Sequence, residues 1–364
     1  MSSVMQHGYL LIADISGYTS FVAQTELEHS HEILSDLLSV VCERIETLLT
    51  IHKLEGDAVF SYAPETKISR GETLLELIES TYAAFRDKQF SMKRATTCTC
   101  KACQNIPSLD LKFIAHHGDY VIQHVRDIRE MVGTDVNLIH RLLKNRVAET
   151  TGWRAYLMVT ERCLNSMNVQ LAGAHEQVES YEHMTDVNTY SVDLRKRYEE
   201  IKAAQRIMLN EAEADVVFTR DFPVPPPVAW EWMQDPNKRN QWVAFVVWSK
   251  GERPGGRTGK GATNHCAHGK GQVSTETVLD WRPFEYSTFE SFENGKKKMT
   301  ETFRFEALPD GGTRFYDLMK FEVPLPRPLR RLIAGIMMKK MNMEGLLERA
   351  VQLAEEDYSA RKHA

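Results

Sequence analysis

Residues 8–14, Gly8-Tyr9-Leu10-Leu11-Ile12-Ala13-Asp14, form an apolar run that ends on a carboxylate, the pattern of a buried strand. Between positions 28 and 49, Ile33, Leu34, Leu37, Leu38, Val41, Ile45, Leu48 and Leu49 recur at helical spacing. Residues 50–62 read as strand, turn at Gly56-Asp57, and strand, and residues 71–88 as a second amphipathic helix. A polar, cysteine-bearing loop leads to apolar runs at 109–117 and 120–125. A helix over 135–148 and an alternating strand over 153–159 follow. Strands and helices alternate here, which predicts a mixed α and β domain.

Residues 193–213 are charged and helix-prone, a helical linker, and beyond them the texture changes. Positions 216–222 alternate as a strand, Pro223-Val224-Pro225-Pro226-Pro227 makes a stiff turn, and 228–233 starts a helix. Strand-like segments at 243–249, 271–280, 286–293, 297–307 and 313–323 are spaced as in a meander. Pro254-Gly255-Gly256 and Asp310-Gly311-Gly312 mark turns between them. A long amphipathic helix is expected from 328 to 358.

A length of 364 residues favours two domains, and 42% hydrophobic with 26% charged residues is ordinary for a soluble protein. A net charge of -5 gives no general pull towards nucleic acid or anionic membrane, so no nucleic-acid partner is expected. No apolar run reaches the roughly 20 residues that span a bilayer, and residues 1–8 lack the features of a secretory signal. A cytoplasmic location is the expectation. Six cysteines at uneven spacing are not a disulfide framework. Cys98, Cys100 and Cys103 form the one cluster. They read either as a reduced loop turn or as three zinc ligands awaiting a fourth, with His116 or His117 as candidates.

Asp14 ends one apolar run, and Asp57 sits in a Gly-Asp step between two strand-like runs. Two carboxylates at strand edges can meet across neighbouring strands and hold divalent cations, the equipment of metal-assisted phosphoryl chemistry. Three further pieces follow in order: Lys53 before Glu55-Gly56-Asp57, then Glu130-Met131-Val132-Gly133-Thr134-Asp135-Val136-Asn137, then Arg141. With Ala13-Asp14-Ile15-Ser16-Gly17-Tyr18-Thr19-Ser20-Phe21, this set resembles the catalytic domain of class III nucleotidyl cyclases over about half the chain.

The resemblance implies a ferredoxin-like α-β sandwich over residues 1–192, with two Mg²⁺ or Mn²⁺ ions at Asp14, Ile15 and Asp57. Ser16, Gly17, Tyr18 and Thr19 would turn their backbone towards phosphate oxygens. Lys53 and Glu130 would read the base. A donor beside an acceptor matches the N1 and N6 edge of adenine and mismatches guanine, so ATP is the expected substrate and cyclic AMP the product. Asn137 would hold the ribose, and Arg141, on the same helix face, would stabilise charge on the α-phosphate. The family's further lysine on the triphosphate tail has no placed counterpart, and residues 118–129 depart from the usual pattern. Sites in this family are shared between two domains, so a head-to-tail homodimer is implied.

Residues 214–358 resemble the START-like, polyketide cyclase/dehydrase superfamily of antiparallel helix-grip folds. The features are the first strand, Pro223 to Met233, Asp235-Pro236 before Asn240-Gln241-Trp242, and the final helix. Such a fold implies a cavity for a hydrophobic small molecule or lipid. Trp230, Trp242, Phe245, Trp248, Trp281, Phe289 and Phe292 either line it or fill the core. His265-Cys266-Ala267-His268 is placed in a loop and offers too few ligands for a metal site. The basic stretch 327–343 suits a membrane surface or a helix capping the cavity. The resulting expectation is an adenylate cyclase with a ligand-sensing domain. The rival is a non-catalytic nucleotide- or lipid-binding or dimerisation protein.

Overall fold

The apolar run ending in Asp14 becomes β1 (Met5–Ser16) of a computed structural model that describes residues 5–96, 98, 100–126, 128–268 and 272–363. Then come α1 (Tyr18–Gln24), α2 (Leu27–Ile45), the hairpin β2 (Thr50–Glu55) and β3 (Ala58–Pro64), α3 (Gly71–Ala95) and α4 (Lys101–Asn105). After β4 (Asp110–Val125) and β5 (Ile128–Val132) follow α5 (Thr134–Leu142), α6 (Val147–Thr151), β6 (Tyr156–Thr160), α7 (Glu161–Met167), β7 (His175–Glu179), β8 (Val187–Asp193) and α8 (Leu194–Ala203). The sheet runs β2-β3-β1-β4-β6-β8-β7, with β5 on β4. β1 is antiparallel to both β3 and β4 and is buried on both faces. Leu10 and Ile12 pack with Ile114 and with Val136 and Ile139 of α5, while Tyr9, Leu11 and Ala13 are buried on the other side.

Two expectations for this unit change. The runs at 109–117 and 120–125 are one strand, β4. Gly118 does not interrupt it because its role is clearance: a Cβ there would lie 2.3 Å from Asp135 Oδ2. The helix over 135–148 is two helices, because Asn145 closes α5 and opens α6. Its Nδ2 donates to the Leu142 carbonyl at 2.7 Å, and its Oδ1 accepts from the Val147 N–H at 3.0 Å.

The chain divides into two compact units between Ala204 and Gln205. The stretch read as a linker therefore has two fates. α8 packs on α3, where the Tyr198 hydroxyl donates to Asp87 at 2.7 Å. Beyond it, the Ile207 and Leu209 N–H groups donate to Asp280 and Thr302 of the second unit.

That unit consists of β9 (Val216–Phe222), α9 (Pro226–Gln234), α10 (Pro236–Trp242), β10 (Val246–Lys250), β11 (Thr263–His268), β12 (Gln272–Arg282), β13 (Tyr286–Glu293), β14 (Lys296–Ala307), β15 (Thr313–Phe321), α11 (Arg327–Lys340) and α12 (Met343–His363). Its seven strands form an antiparallel, curled sheet in the order β10-β11-β12-β13-β14-β15-β9. The segment containing His265 and His268 is a strand, β11, not a loop, and alternation sends neighbouring side chains to opposite faces. The expected final helix breaks at Asn342, whose φ is 53°, into α11 and α12. On α11, Leu332, Ile333 and Ile336 are exposed, so that face does not cap a core. No helix among the described residues is long and apolar enough to cross a membrane.

The interior of the curl is more polar than the aromatic sequence pattern implies. Trp230 is fully buried against Trp281, Phe284 and Phe305, and Phe289 packs on Phe303, so these rings fill the core. Trp242 is buried and donates to the Trp232 carbonyl. Phe245 is exposed, and Trp248 and Phe292 are half-buried. Among the rings lies the Arg239 guanidinium, over Trp248, Phe289 and Phe303, with Glu276 at 2.9 Å. Glu301 and Asp317 are buried beside one another on β14 and β15. Burial, then the charge of Glu276, pushes Glu301 up to about 7, and burial with the charge of Glu301 raises Asp317 well above the carboxylate range.

The folded state therefore binds more protons than the unfolded chain from about pH 4.3, the unfolded value of a glutamate, to about 7, and loses stability as pH rises through that window. Glu301→Gln should raise the melting temperature of the second unit by several degrees at pH 8 and by much less at pH 5. A gain equal at both pH values would contradict the buried neutral carboxyl.

Candidate functional site

Register places the first pair. Asp14 stands opposite Ala58 on β3 and Lys112 on β4, and Asp57 occupies the β2–β3 turn, its carbonyl accepting the Ile15 N–H at 3.2 Å. The two carboxyls meet. Burial, then the charge of Asp14, pushes Asp57 up to about 6. Sequence reasoning missed the third member, Lys112, whose Nζ lies 2.9 Å from Asp14 Oδ2. Burial works against its charge, but Asp14 and Asp57 outweigh that and hold the ammonium protonated. One cation inside the run Leu111-Lys112-Phe113, on the strand that pairs with β1, was the available signal.

These donors can be weighed against the divalent ion that the resemblance implies. Two converging carboxyls, one driven towards its neutral form by burial and then by the charge of the other, are hard oxygen donors short of positive charge, and this fits Mg²⁺ or Mn²⁺. The Ile15 side chain is buried, so only its carbonyl is a possible ligand. The Lys112 ammonium already offsets one negative charge, so the set suits one ion better than two.

The second pair also meets. Lys53 Nζ lies 3.5 Å from Glu130 Oε1, within a wider network: His52 Nε2 is 3.2 Å from Glu130 Oε2, Lys53 is 2.9 Å from Glu55, and His140 is 3.4 Å from Glu55. The His52 hydrogen bond, then the Lys53 charge, holds Glu130 below the usual carboxylate range. His52 and His140 were not foreseen. Asn137 and Arg141 are exposed one turn apart on α5.

Asp135 fixes that helix. It accepts from the Asp119 N–H at 2.6 Å and faces His116 and Arg162 at 3.2 Å each. Burial pushes its carboxyl up, but these partners prevail and hold it at about 2. His116 is thereby committed to Asp135 and to Thr160, and His117 packs against Tyr9 and His7, so neither is the fourth ligand expected for the cysteines.

At the turn after β1, Gly17 takes a left-handed φ of 91° and starts α1, with Ser16 and Tyr18 half-buried and Thr19 exposed. A Cβ on Gly17 would lie 2.7 Å from Nη2 of Arg154, which donates to the Ser108 carbonyl at 2.7 Å. Arg154 thus brings an exposed guanidinium to the loop expected to face phosphate. A lone arginine after Trp153 gave the sequence reading no reason to single it out.

Residues 34–151 match the family model "Protein of unknown function (DUF2652)", and residues 213–355 match "Polyketide cyclase / dehydrase and lipid transport". An uncharacterized protein of Mycobacterium tuberculosis is 32% identical over 149 residues, 40% of this chain, and the match covers 66% of that protein's length. Among solved structures, the adenylyl cyclase CyaB from P. aeruginosa is similar at 14% identity and TM-score 0.42, covering 52% of this chain and 95% of that one. The guanylyl cyclase Cya2 is similar at 15% identity and TM-score 0.40, covering 52% and 93%. The chain is similar, in two separate segments, to a family of unknown function and to one of polyketide cyclases, dehydrases and lipid-transport proteins.

Proposed function

We propose that the first unit is a nucleotidyl cyclase that converts ATP to 3′,5′-cyclic AMP and diphosphate in a head-to-tail homodimer, tuned by a ligand of the second unit. The observation that carries this reading is the convergence of Asp57 on Asp14 at the end of β1. The Lys53–Glu130 pair at 3.5 Å supports a purine-reading edge. A divalent ion at Asp14, Asp57 and the Ile15 carbonyl would activate the ribose 3′-hydroxyl and offset the triphosphate charge. Lys53 donates to N1 of adenine and Glu130 accepts from its N6 amino group. His52 and Glu55, already bonded to that pair, hold both side chains in place before the base arrives. Asn137 orients the ribose so that O3′ faces the α-phosphorus. As the new P–O bond forms and diphosphate leaves, Arg141 balances the charge gathering on the α-phosphate oxygens. Arg154, beside Gly17, meets the phosphate tail, the task for which the sequence offers no lysine.

For the second unit we propose a hydrophobic small molecule or lipid as the ligand, a reading supported by the match of residues 213–355 to a family model that includes lipid transport. One observation favours the rival, a domain that holds nucleotide without turning it over: the Lys112 ammonium occupies one face of Asp14.

Incubation of the purified protein with ATP or GTP and Mn²⁺, with products identified by mass spectrometry, separates the readings. Cyclic AMP should form, and Asp14→Ala should abolish it. Nucleotide binding with no cyclic product would favour the rival. Arg154→Ala should raise KM for ATP more than it lowers kcat. Arg141→Ala should lower kcat by on the order of 10³. The opposite pattern would reverse the two assignments.

A further inference from the structure

Three cysteines and one histidine, far apart in sequence, converge in the first unit. His29 lies in the first turn of α2, Cys98 and Cys100 lie between α3 and α4, and Cys103 is on α4. Their ligand atoms all fall within 4.8 Å of one another. His29 Nδ1 is 3.1 Å from Cys100 Sγ, 3.7 Å from Cys98 Sγ and 3.9 Å from Cys103 Sγ. A tetrahedral zinc ion, with bonds of about 2.3 Å to sulfur and about 2.0 Å to nitrogen, sets nitrogen and sulfur about 3.5 Å apart, and the observed separations bracket that value.

The backbone is arranged for thiolates as well. The Cys100 N–H points at Cys98 Sγ at 3.5 Å, and the Cys103 N–H at Cys100 Sγ at 3.4 Å, so amides face two of the three sulfurs. All six cysteines are free, so the cluster is not a disulfide in disguise. Glu26, just before α2, accepts the Lys101 and Ala102 N–H groups at 3.3 and 3.0 Å. This docks the start of α2 onto α4 and holds His29 against the cysteines.

We propose that His29, Cys98, Cys100 and Cys103 bind one zinc ion in a closed structural site that staples α2 to α4. Four protein ligands leave no open coordination position, which marks a structural site, not a catalytic one. Thiolate-rich tetrahedral donors select zinc over magnesium or manganese, so the site is chemically distinct from the carboxylate pair at Asp14 and Asp57. α4 also packs against α1, the helix that begins at Gly17. Zinc thus fixes the helices that follow the phosphate-facing loop. Binding to the folded state alone adds to its stability.

The test uses the full chain without a histidine tag. Elemental analysis should find about one zinc per chain, and X-ray absorption at the zinc edge should report three sulfur ligands and one nitrogen. Chelation should lower the melting temperature. Cys103→Ser and His29→Ala should weaken zinc binding by more than the roughly 10–100-fold typical of outer-shell changes, and His29→Cys should retain the metal. Should the variants fail to fold, Co²⁺ added to the reduced, zinc-depleted wild-type protein should give sulfur-to-cobalt charge-transfer bands and a tetrahedral ligand-field spectrum. Reduced protein that takes up neither Zn²⁺ nor Co²⁺ overturns the proposal. So does a sulfur-free coordination shell, or equal binding by His29→Ala, Cys103→Ser and wild type.

Discussion

The register of β1 is the constraint on which the first unit turns. Buried on both faces and paired on both edges, β1 has no freedom to slide: a shift of one residue would exchange Leu10 and Ile12 for Tyr9 and Leu11 on the face that meets α5. With the register locked, Asp14 falls opposite Lys112 and beside the turn that carries Asp57. The carboxylate pair is therefore a product of core packing. Nothing in the polar loop alone would bring those groups into contact. Its price is the burial and then the charge of Asp14 that together push Asp57 up to about 6, and that Lys112 partly relieves.

A second constraint orients the outer face. Asp135, held by the Asp119 N–H, His116 and Arg162, pins the start of α5 to β4, and Gly118 leaves the room it needs. With the buried face of α5 committed to the core, Asn137 and Arg141 project outward. Outward projection suits the role proposed for these residues, acting on a substrate held by a second copy of the chain. It also explains why the two halves of the candidate site are built so differently, one recessed at a strand end and one displayed on a helix.

Much of this was legible in the sequence because it rests on local pattern. The run into Asp14, the Gly56-Asp57 turn and the helical spacing of Ile33, Leu37 and Val41 each follow from periodicity, and the structure has them where expected. What escaped was set by partners distant in the chain. Lys112 matters because β4 pairs with β1, His29 because α2 packs on α4, and Arg154 because the Ser108 carbonyl holds it near Gly17. No window of sequence contains those pairs. The aromatic pattern of the second unit misled for a related reason: alternation predicts which residues face inward, but not that Arg239, Glu276, Glu301 and Asp317 share the interior with the rings.

A site divided between two copies of the chain makes a demand that few other arrangements make. In the proposed site, Asp14→Ala chains would lack the metal-binding half and Arg141→Ala chains the charge-balancing half, so each preparation alone should be inactive. If the chains pair head to tail, mixing them in equal amounts restores one intact site in each mixed dimer. The direct measurement is cyclic AMP formation from ATP by that mixture. Recovery to a substantial fraction of wild-type activity is the predicted result. A mixture as inactive as its components, alongside an active wild type, would contradict the shared site.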